Sequence, residues 1–559
     1  MRSRNSARQS IRDKRFDLCI IGGGATGLGC ALDAQLRGHS TVLIDAGDFV
    51  SCTSSASTKL AHGGVRYLQQ AVADLDYGQY SMVRKALHER THMLRSAPFL
   101  AHSLELLVPR FSIWEIIYFT VGMKLYDWLA GSASLSPSRT FFKAKSLRRM
   151  PSLRSEKLVG TVSYADGQFD DARFGIALAQ TFAQQGGELL NYAKATGFGK
   201  NAEGKLSSME VEDQRTGERF QIHAKIFVNC TGPFADHLRR MANPALSERL
   251  RLSKGVHLLL PLEALHSESA LLIPKTEDGR VIFAIPWLGR LLVGTTEEDA
   301  ELTDEMVVTP AEISFLLKYI NHYLNANLTP KDVLSAFAGV RPLVKSRVKH
   351  WSSSRAGYDD TVNTRKLIRD HEIEVDEHSN LISVLGGKWT TYRVMAEDAI
   401  NHAERMISGK PGTCKTLEFP LTGSSGYTSN YWKKLVEDDQ LSPETARHLA
   451  QKFGTDSLKI MELTRQSPQL LQPFVEGGIP ICAEAVYAIR EEMAQTIEDI
   501  LLRRIGVQFH SWKEAVQAAP MVGQLLAAEF AWSDGQTSDA IDAYLSSIRH
   551  LLQHAGIEE

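Results

Sequence analysis

Gly22-Gly23-Gly24-Ala25-Thr26-Gly27 is a run of small residues through which a backbone can approach a phosphate group. Gly22 allows a tight turn, Gly24 lets the chain come close to a pyrophosphate, and Gly27 lets a following helix pack against the preceding strand. Asp45 stands about twenty residues further on, where a carboxylate holds the hydroxyls of an adenosine ribose. An acid at that place favours a ribose without a 2′-phosphate, hence FAD or NAD over NADP. Downstream, Thr53, Ser54, Ser55, Thr58, Lys59, Leu60, His62, Gly63 and Gly64 form a segment dense in small and hydroxyl residues. Such a segment offers N–H and O–H donors to pyrophosphate and ring oxygens, or it is a solvated loop.

These residues need a frame. Residues 16–21 are a short apolar run that reads as a buried parallel strand. Residues 25–37 carry helical spacing, with Leu28, Ala31, Leu32 and Leu36 on one face, and residues 41–44 read as a second strand ending at Asp45. Strand, glycines, helix, strand and acid in register make a complete βαβ dinucleotide unit. Residues 226–230 are another apolar strand, and Thr231-Gly232 after it returns the chain beside the first glycine loop. Residues 381–385 repeat the pattern: a strand enters Gly386-Gly387, and a helix follows near Lys388, Thr390 and Thr391. A helix N-terminus stabilises developing negative charge, and Lys388 adds a full positive one. Asp170 and Asp171 precede a helical run and read as its N-terminal caps.

Bulk properties exclude several classes. The 559 residues call for two or three domains, and a formal net charge of −2 gives no electrostatic case for nucleic acid. The six cysteines, at 19, 30, 52, 230, 414 and 482, are scattered without a CxxC pair, as expected of free thiols rather than metal ligands or disulfides. Residues 1–15 carry six basic side chains without a following apolar run. They read as a disordered basic tail, or as one drawn weakly to anionic lipid. Residues 111–129 are rich in aromatics but interrupted by Glu115, Lys124 and Asp127. That stretch either packs under a neighbouring domain or lies in a membrane interface, where Trp and Tyr are favoured. Residues 75–105 read as helix and 131–158 as a basic loop. Val486, Ile489, Met493, Ile497, Ile500 and Leu501 read as one stripe of a single helix.

The glycine fingerprint followed by TSSASTKLAHGGVRYL resembles the aerobic, FAD-dependent glycerol-3-phosphate dehydrogenases, and the similarity runs from about residue 16 to 552. The resemblance implies an α/β fold: an FAD-binding Rossmann-like domain of the amino-acid-oxidase type, an antiparallel-sheet substrate domain and a C-terminal helical domain. The division expected is a tail at 1–15, interleaved FAD and substrate domains over 16–422 (substrate segments 75–160 and 245–350), and helices over 423–559. The family binds FAD, oxidises sn-glycerol 3-phosphate to dihydroxyacetone phosphate and passes electrons to membrane quinone. The implied setting is peripheral, on the inner face of the cytoplasmic membrane, with a homodimer left open and no metal.

By the same resemblance, Arg66, Tyr67, Lys254, Arg341, Arg369 and Lys388 converge on the substrate. Arginine suits a phosphate dianion through its planar fork. His257, Arg341 and Lys388 form the catalytic set. A neutral imidazole accepts a proton near pH 7 and a guanidinium does not, so His257 is the expected base, or else a structural histidine. The alternatives are the related oxidase that reduces oxygen to peroxide, an amine oxidase of the same fold, and a nucleotide-binding scaffold without activity.

Overall fold

The structure, a computed structural model, describes residues 1–64, 77–274, 276–277, 279–302, 306–345, 347–348, 357–358 and 370–558. Two sheets share the work of building the site. In the first, strands His371–Val375, Ile382–Gly386, Arg219–Asn229, Arg15–Ile21, Thr41–Ile44 and Glu188–Leu190 lie side by side in that order. The inner four pairings among the last five are parallel. Buried on both faces, the strand Arg15–Ile21 is correspondingly apolar after its first residues. Helices Ala25–Leu36 and Tyr392–Ser408 each leave the C-terminal end of a strand of this sheet, Arg15–Ile21 and Ile382–Gly386. Both glycine turns therefore open at the same edge, where ligands bind in open α/β sheets.

The second sheet is larger and mainly antiparallel. Strand Leu250–Pro261 lies at its heart, paired with Arg290–Gly294 on one side and Ser335–Val344 on the other. Strand alternation sends Val256, Leu258 and Leu260 into a core shared with helix Pro310–Tyr323 and the C-terminal helices. Residues 253, 255 and 257 face the opposite way. The short strand Leu60–Ala61 joins this sheet at Gly160–Phe169, which ties the hydroxyl-rich segment to the second sheet as well as to the first.

Several sequence expectations change. The basic tail is not disordered: Arg4–Arg12 is a helix with Ala7 and Ile11 buried against the first sheet. Its cations are spent on the protein's own carboxylates. Arg4 and Arg8 meet Asp213 at 2.9 and 3.2 Å, and Arg2 and Lys14 both meet Glu188. The helix expected over 75–105 stops at Ser96, and Ala101–Arg110 is a strand of the second sheet. Residues 131–158 include strand Arg139–Phe142 and helix Lys143–Arg149. The single C-terminal stripe is broken. Helix Cys482–Glu491 ends before Met493, which has φ +54°, and a π-helical turn Asp499–Arg504 follows, although every residue of the stripe is buried.

That π-helical turn serves a purpose. Arg503 and Arg504, both buried, hold the carboxylate of buried Asp48 through three bonds of 2.7 to 2.9 Å. Asp48 lies just after Asp45, so the helical region grips the loop that follows the second strand. Arg173 to Glu492 at 2.8 Å and Lys452 to Asp170 at 2.7 Å add further buried pairs across the same junction.

The N-terminal helix provides a stability test. Arg4→Ala removes one partner of a buried pair, so unfolding in urea should show a loss of about 3 kcal/mol. The low end of the range for a broken buried pair applies because Arg8 and the N–H of Arg215 remain on Asp213. A loss below about 0.5 kcal/mol would mean the segment contributes no more than an exposed ion pair.

Candidate active site

A cavity of about 1630 Å³ runs between the two sheets. One wall is the dinucleotide unit. Gly24 caps helix Ala25–Leu36 with its backbone, and the N–H of Ala25 donates to Ser54 Oγ at 3.0 Å. Gly22, Gly24, Ala25, Thr26 and Asp45 line the space, whereas Gly23 and Gly27 lie behind it. Gly27 is a packing requirement: a Cβ there would stand 1.8 Å from the carbonyl oxygen of Gly22. Asp45 accepts the N–H groups of Gly23 at 2.6 Å and Gly47 at 2.8 Å. Burial nevertheless raises its carboxyl to about 6, the two N–H bonds opposing the rise.

Thr53, Ser54, Thr58, Leu60, His62, Gly64, Thr231 and Gly232 all reach the cavity. Ser55, Lys59 and Gly63 do not; they fix the segment from behind. Lys59 is fully buried, its Nζ 2.5 Å from Asp171 and 2.6 Å from the carbonyl of Ser55, under the ring of Phe509 at 4.3 Å. Asp171 also accepts from the N–H and hydroxyl of Ser57. Of the two expected caps, Asp170 alone caps the helix, accepting the N–H of Arg173, and Asp171 is the counter-ion of Lys59. The N–H of Gly63 donates to Asp166, which Arg90 holds at 2.6 Å.

Gly386, Gly387, Lys388, Trp389 and Thr390 close the near end, with Thr391 turned back onto the carbonyl of Lys388. Gly387 has φ +93°, a conformation that suits glycine. Trp389 Nε1 donates to the carbonyl of Ser54 at 2.7 Å, so the second glycine turn is tied to the hydroxyl-rich segment, whose Ser54 Oγ in turn accepts from Ala25.

The facing wall is the strand pair. Register sets Ser253 beside Arg341, Gly255 beside Gly339 and His257 beside Phe337. Arg341 Nη2 donates to Thr295 Oγ1 at 2.8 Å and passes directly over Gly255, where a Cβ would be 2.3 Å away. His257 is buried against Phe337, with Nε2 2.9 Å from Thr58 Oγ1. Burial first, then Arg341 and Lys59, hold its pKa well below the ordinary imidazole value, so the ring is neutral.

Not every expected residue converges. Lys254 is three places from His257, and alternation turns it to the other face, where Nζ pairs with Glu312 at 2.9 Å. It does not line the cavity. Arg66, Tyr67 and Arg369 lie outside the described residues. Sequence reading missed Trp389, Thr295, Arg280 and Phe283, and it missed one whole side: Tyr118, Phe119, Val121, Gly122, Met123 and Leu125 of helix Ile113–Ala130 also line the space. Strand parity in residues 282–294 could have found Phe283; nothing local marks Trp389.

The fit to a flavin dinucleotide rests on this geometry. Two helix-initiating glycine turns face one cavity, Asp45 stands where the fingerprint places the ribose acid, and Thr53, Ser54, Thr58 and Thr390 offer hydroxyls between them.

Comparison with known proteins agrees in scale. Residues 17–386 match the FAD-dependent oxidoreductase family, and residues 414–537 match the C-terminal domain of alpha-glycerophosphate oxidase. The mitochondrial glycerol-3-phosphate dehydrogenase of Rattus norvegicus is 38% identical over 538 residues, covering 94% of this chain and 72% of the relative. A mitochondrial glycerol-3-phosphate dehydrogenase of Arabidopsis thaliana is 36% identical, covering 92% and 83%. Among solved structures, the glycerol-3-phosphate dehydrogenase of Bacillus halodurans, complexed with FAD, superposes with a TM-score of 0.76 at 27% identity, covering 98% of this chain and 97% of that one.

If ribose hydroxyls donate to Asp45, they do so to its ionised carboxylate, so cofactor binding is favoured above about pH 6 and weakens below it. The FAD dissociation constant of wild-type protein should rise by up to about tenfold per pH unit below 6. Asp45→Asn should bind more weakly at pH 7 and lose the pH dependence. A flat profile in the wild type would remove Asp45 from the ribose contact.

Proposed function

Because this chain belongs to the FAD-dependent glycerol-3-phosphate dehydrogenase family, with FAD as its cofactor, we propose that it oxidises sn-glycerol 3-phosphate to dihydroxyacetone phosphate and passes the electrons to a membrane quinone. One observation carries the reading: Arg341 and His257 stand on one face of a strand pair, across a single cavity from the glycine turns. A phosphate-holding fork and a neutral imidazole are what a phosphorylated secondary alcohol needs beside an electron acceptor.

Bound FAD supplies the two-electron acceptor for the carbinol hydrogen. The rest is the chain's own work. Arg341 holds the phosphate, its guanidinium fixed by Thr295 and brought close by the missing side chain of Gly255. Lys388, at the helix-initiating turn, favours negative charge at that end of the cavity. His257 receives the alcohol proton. Arg66, Tyr67 and Arg369 complete the substrate shell by the family resemblance, and Lys254 is left out of it.

The acceptor reading rests on helix Ile113–Ala130. Ile116, Met123, Tyr126 and Leu129 are buried, yet Trp114, Ile117 and Trp128 are exposed at helical spacing, with Tyr118 and Val121 exposed between them at the rim of the cavity. Trp114 is 75% exposed and Trp128 71%. Phe142 and the cations of Lys143, Lys145 and Arg148 are exposed nearby in sequence. Aromatic side chains beside cations suit the headgroup region of an anionic bilayer. Among the described residues no helix is long and apolar enough to cross a membrane, so the contact proposed is peripheral. The helix also lines the cavity, which gives an apolar acceptor a short route to it.

Anaerobic addition of glycerol 3-phosphate should bleach the bound flavin, and lack of bleaching would end the substrate reading. Arg341→Ala should raise the apparent KM for glycerol 3-phosphate about 100-fold, the scale of a lost charged bidentate contact, and leave oxidation of glycerol unchanged. Equal losses on both substrates would remove Arg341 from the phosphate. Replacing Trp114 and Trp128 together by Glu should abolish sedimentation with phosphatidylglycerol vesicles and reduction of a long-chain quinone, with turnover on a soluble dye retained. Stoichiometric peroxide in air would replace quinone by oxygen as the acceptor.

A further inference from the structure

We propose that the hydroxyl of Thr58 relays the alcohol proton from substrate to His257. The proposal rests on the substrate reading given above and adds a residue to it. His257 is 1% exposed. Its ring is sandwiched between Phe337, stacked at 4.9 Å and 16°, and the backbone of Gly294, where an added Cβ would touch the ring at 2.2 Å. Among the described residues Nδ1, which is buried, has no hydrogen-bond partner, and Nε2 is met by Thr58 Oγ1 at 2.9 Å. The imidazole's polar contact is therefore made through that hydroxyl. Thr58 is only half-buried and lines the cavity alongside Gly255 and Arg341.

Chemistry sets the direction. The charged groups acting on the ring are Arg341 from the neighbouring strand and Lys59 from the segment that carries Thr58, and both disfavour a standing imidazolium. A neutral ring with its hydrogen on Nδ1 leaves the Nε2 lone pair to accept from Thr58. As the carbinol carbon gives up its hydrogen with two electrons to FAD, the substrate O–H proton moves to Thr58 Oγ and the proton of Thr58 moves to Nε2. The C–O single bond becomes C=O. Thr58 ends as it began, and His257, now protonated on both nitrogens, gives up the added proton to water after product leaves. Lys59, locked to Asp171 and Ser55, fixes the backbone from which Thr58 projects.

The test compares wild type, Thr58→Val, Thr58→Ser and His257→Asn by anaerobic stopped-flow reduction with glycerol 3-phosphate, in H2O and D2O across pH, with FAD content and dissociation constant measured in parallel. Thr58→Val should keep FAD affinity and KM within a few-fold, slow reduction by about 100-fold or more, and lose the acid limb of the pH profile. Thr58→Ser should recover to within about tenfold of wild type and keep the solvent isotope effect. Thr58→Val and His257→Asn combined should be no slower than either alone, as for groups that act as a unit. Wild-type reduction rates in Thr58→Val beside slow His257→Asn would overturn the relay and leave His257 taking the proton directly. Loss of FAD from Thr58→Val would overturn it in favour of a cofactor contact. Failure of glycerol 3-phosphate to bleach the wild type would instead sink the substrate reading beneath it.

Discussion

The site depends on the register between strands Leu250–Pro261 and Ser335–Val344. Ten consecutive pairings set Arg341 opposite Ser253 and His257 opposite Phe337. A slip of Leu250–Pro261 by one residue would turn His257 into the apolar core, away from Arg341, and bring Val256, Leu258 and Leu260 out to face the cavity. Burial of the opposite face, which joins helix Pro310–Tyr323 and the C-terminal helices, makes such a slip costly. A register chosen by hydrophobic burial thus fixes the separation of two polar side chains.

A second constraint links the parts. The hydroxyl-rich segment is tied to the strand-pair wall by Thr53 to the carbonyl of Val340 and by Thr58 to His257, and to the glycine turns by Ser54. From behind, the buried Lys59–Asp171 pair holds it, with Phe509 of the helical region over the ammonium. The helical region also reaches the cofactor loop through Asp48, Arg503 and Arg504. Buried pairs of this kind are weak sources of net stability, because desolvation offsets their attraction. Their contribution is geometric: breaking one leaves a stranded charge, so the helical region and the cofactor loop have one low-energy arrangement.

Helix Ile113–Ala130 stands apart from this economy of burial. It is apolar on two faces, and among the described residues only one is packed. Large exposed apolar patches are uncommon on monomeric soluble proteins and usually mark an interface. The packed face meets the second sheet, and the same helix borders the cavity, so the outward stripe and the cavity wall belong to one helix.

The residues themselves determined much of this. The glycine fingerprint with Asp45, and the second turn at Gly386-Gly387, were legible because backbone approach to a phosphate demands particular residue types at local spacing. The family resemblance added Arg341 and His257. Strand parity, also present in the chain, already set Lys254 and His257 on opposite faces. Tertiary structure alone decided the rest. That the basic N-terminal segment is a docked helix follows from Asp213 and Glu188, which lie about two hundred residues away. That Asp171 serves Lys59 rather than a helix cap, that Trp389 clasps the carbonyl of Ser54, and that one stripe of helix Ile113–Ala130 finds no cover are likewise decided by partners distant in sequence. Local composition sets what a residue is able to do; which neighbour it meets depends on chain closure, and the spacing of residues along the chain carries no record of it.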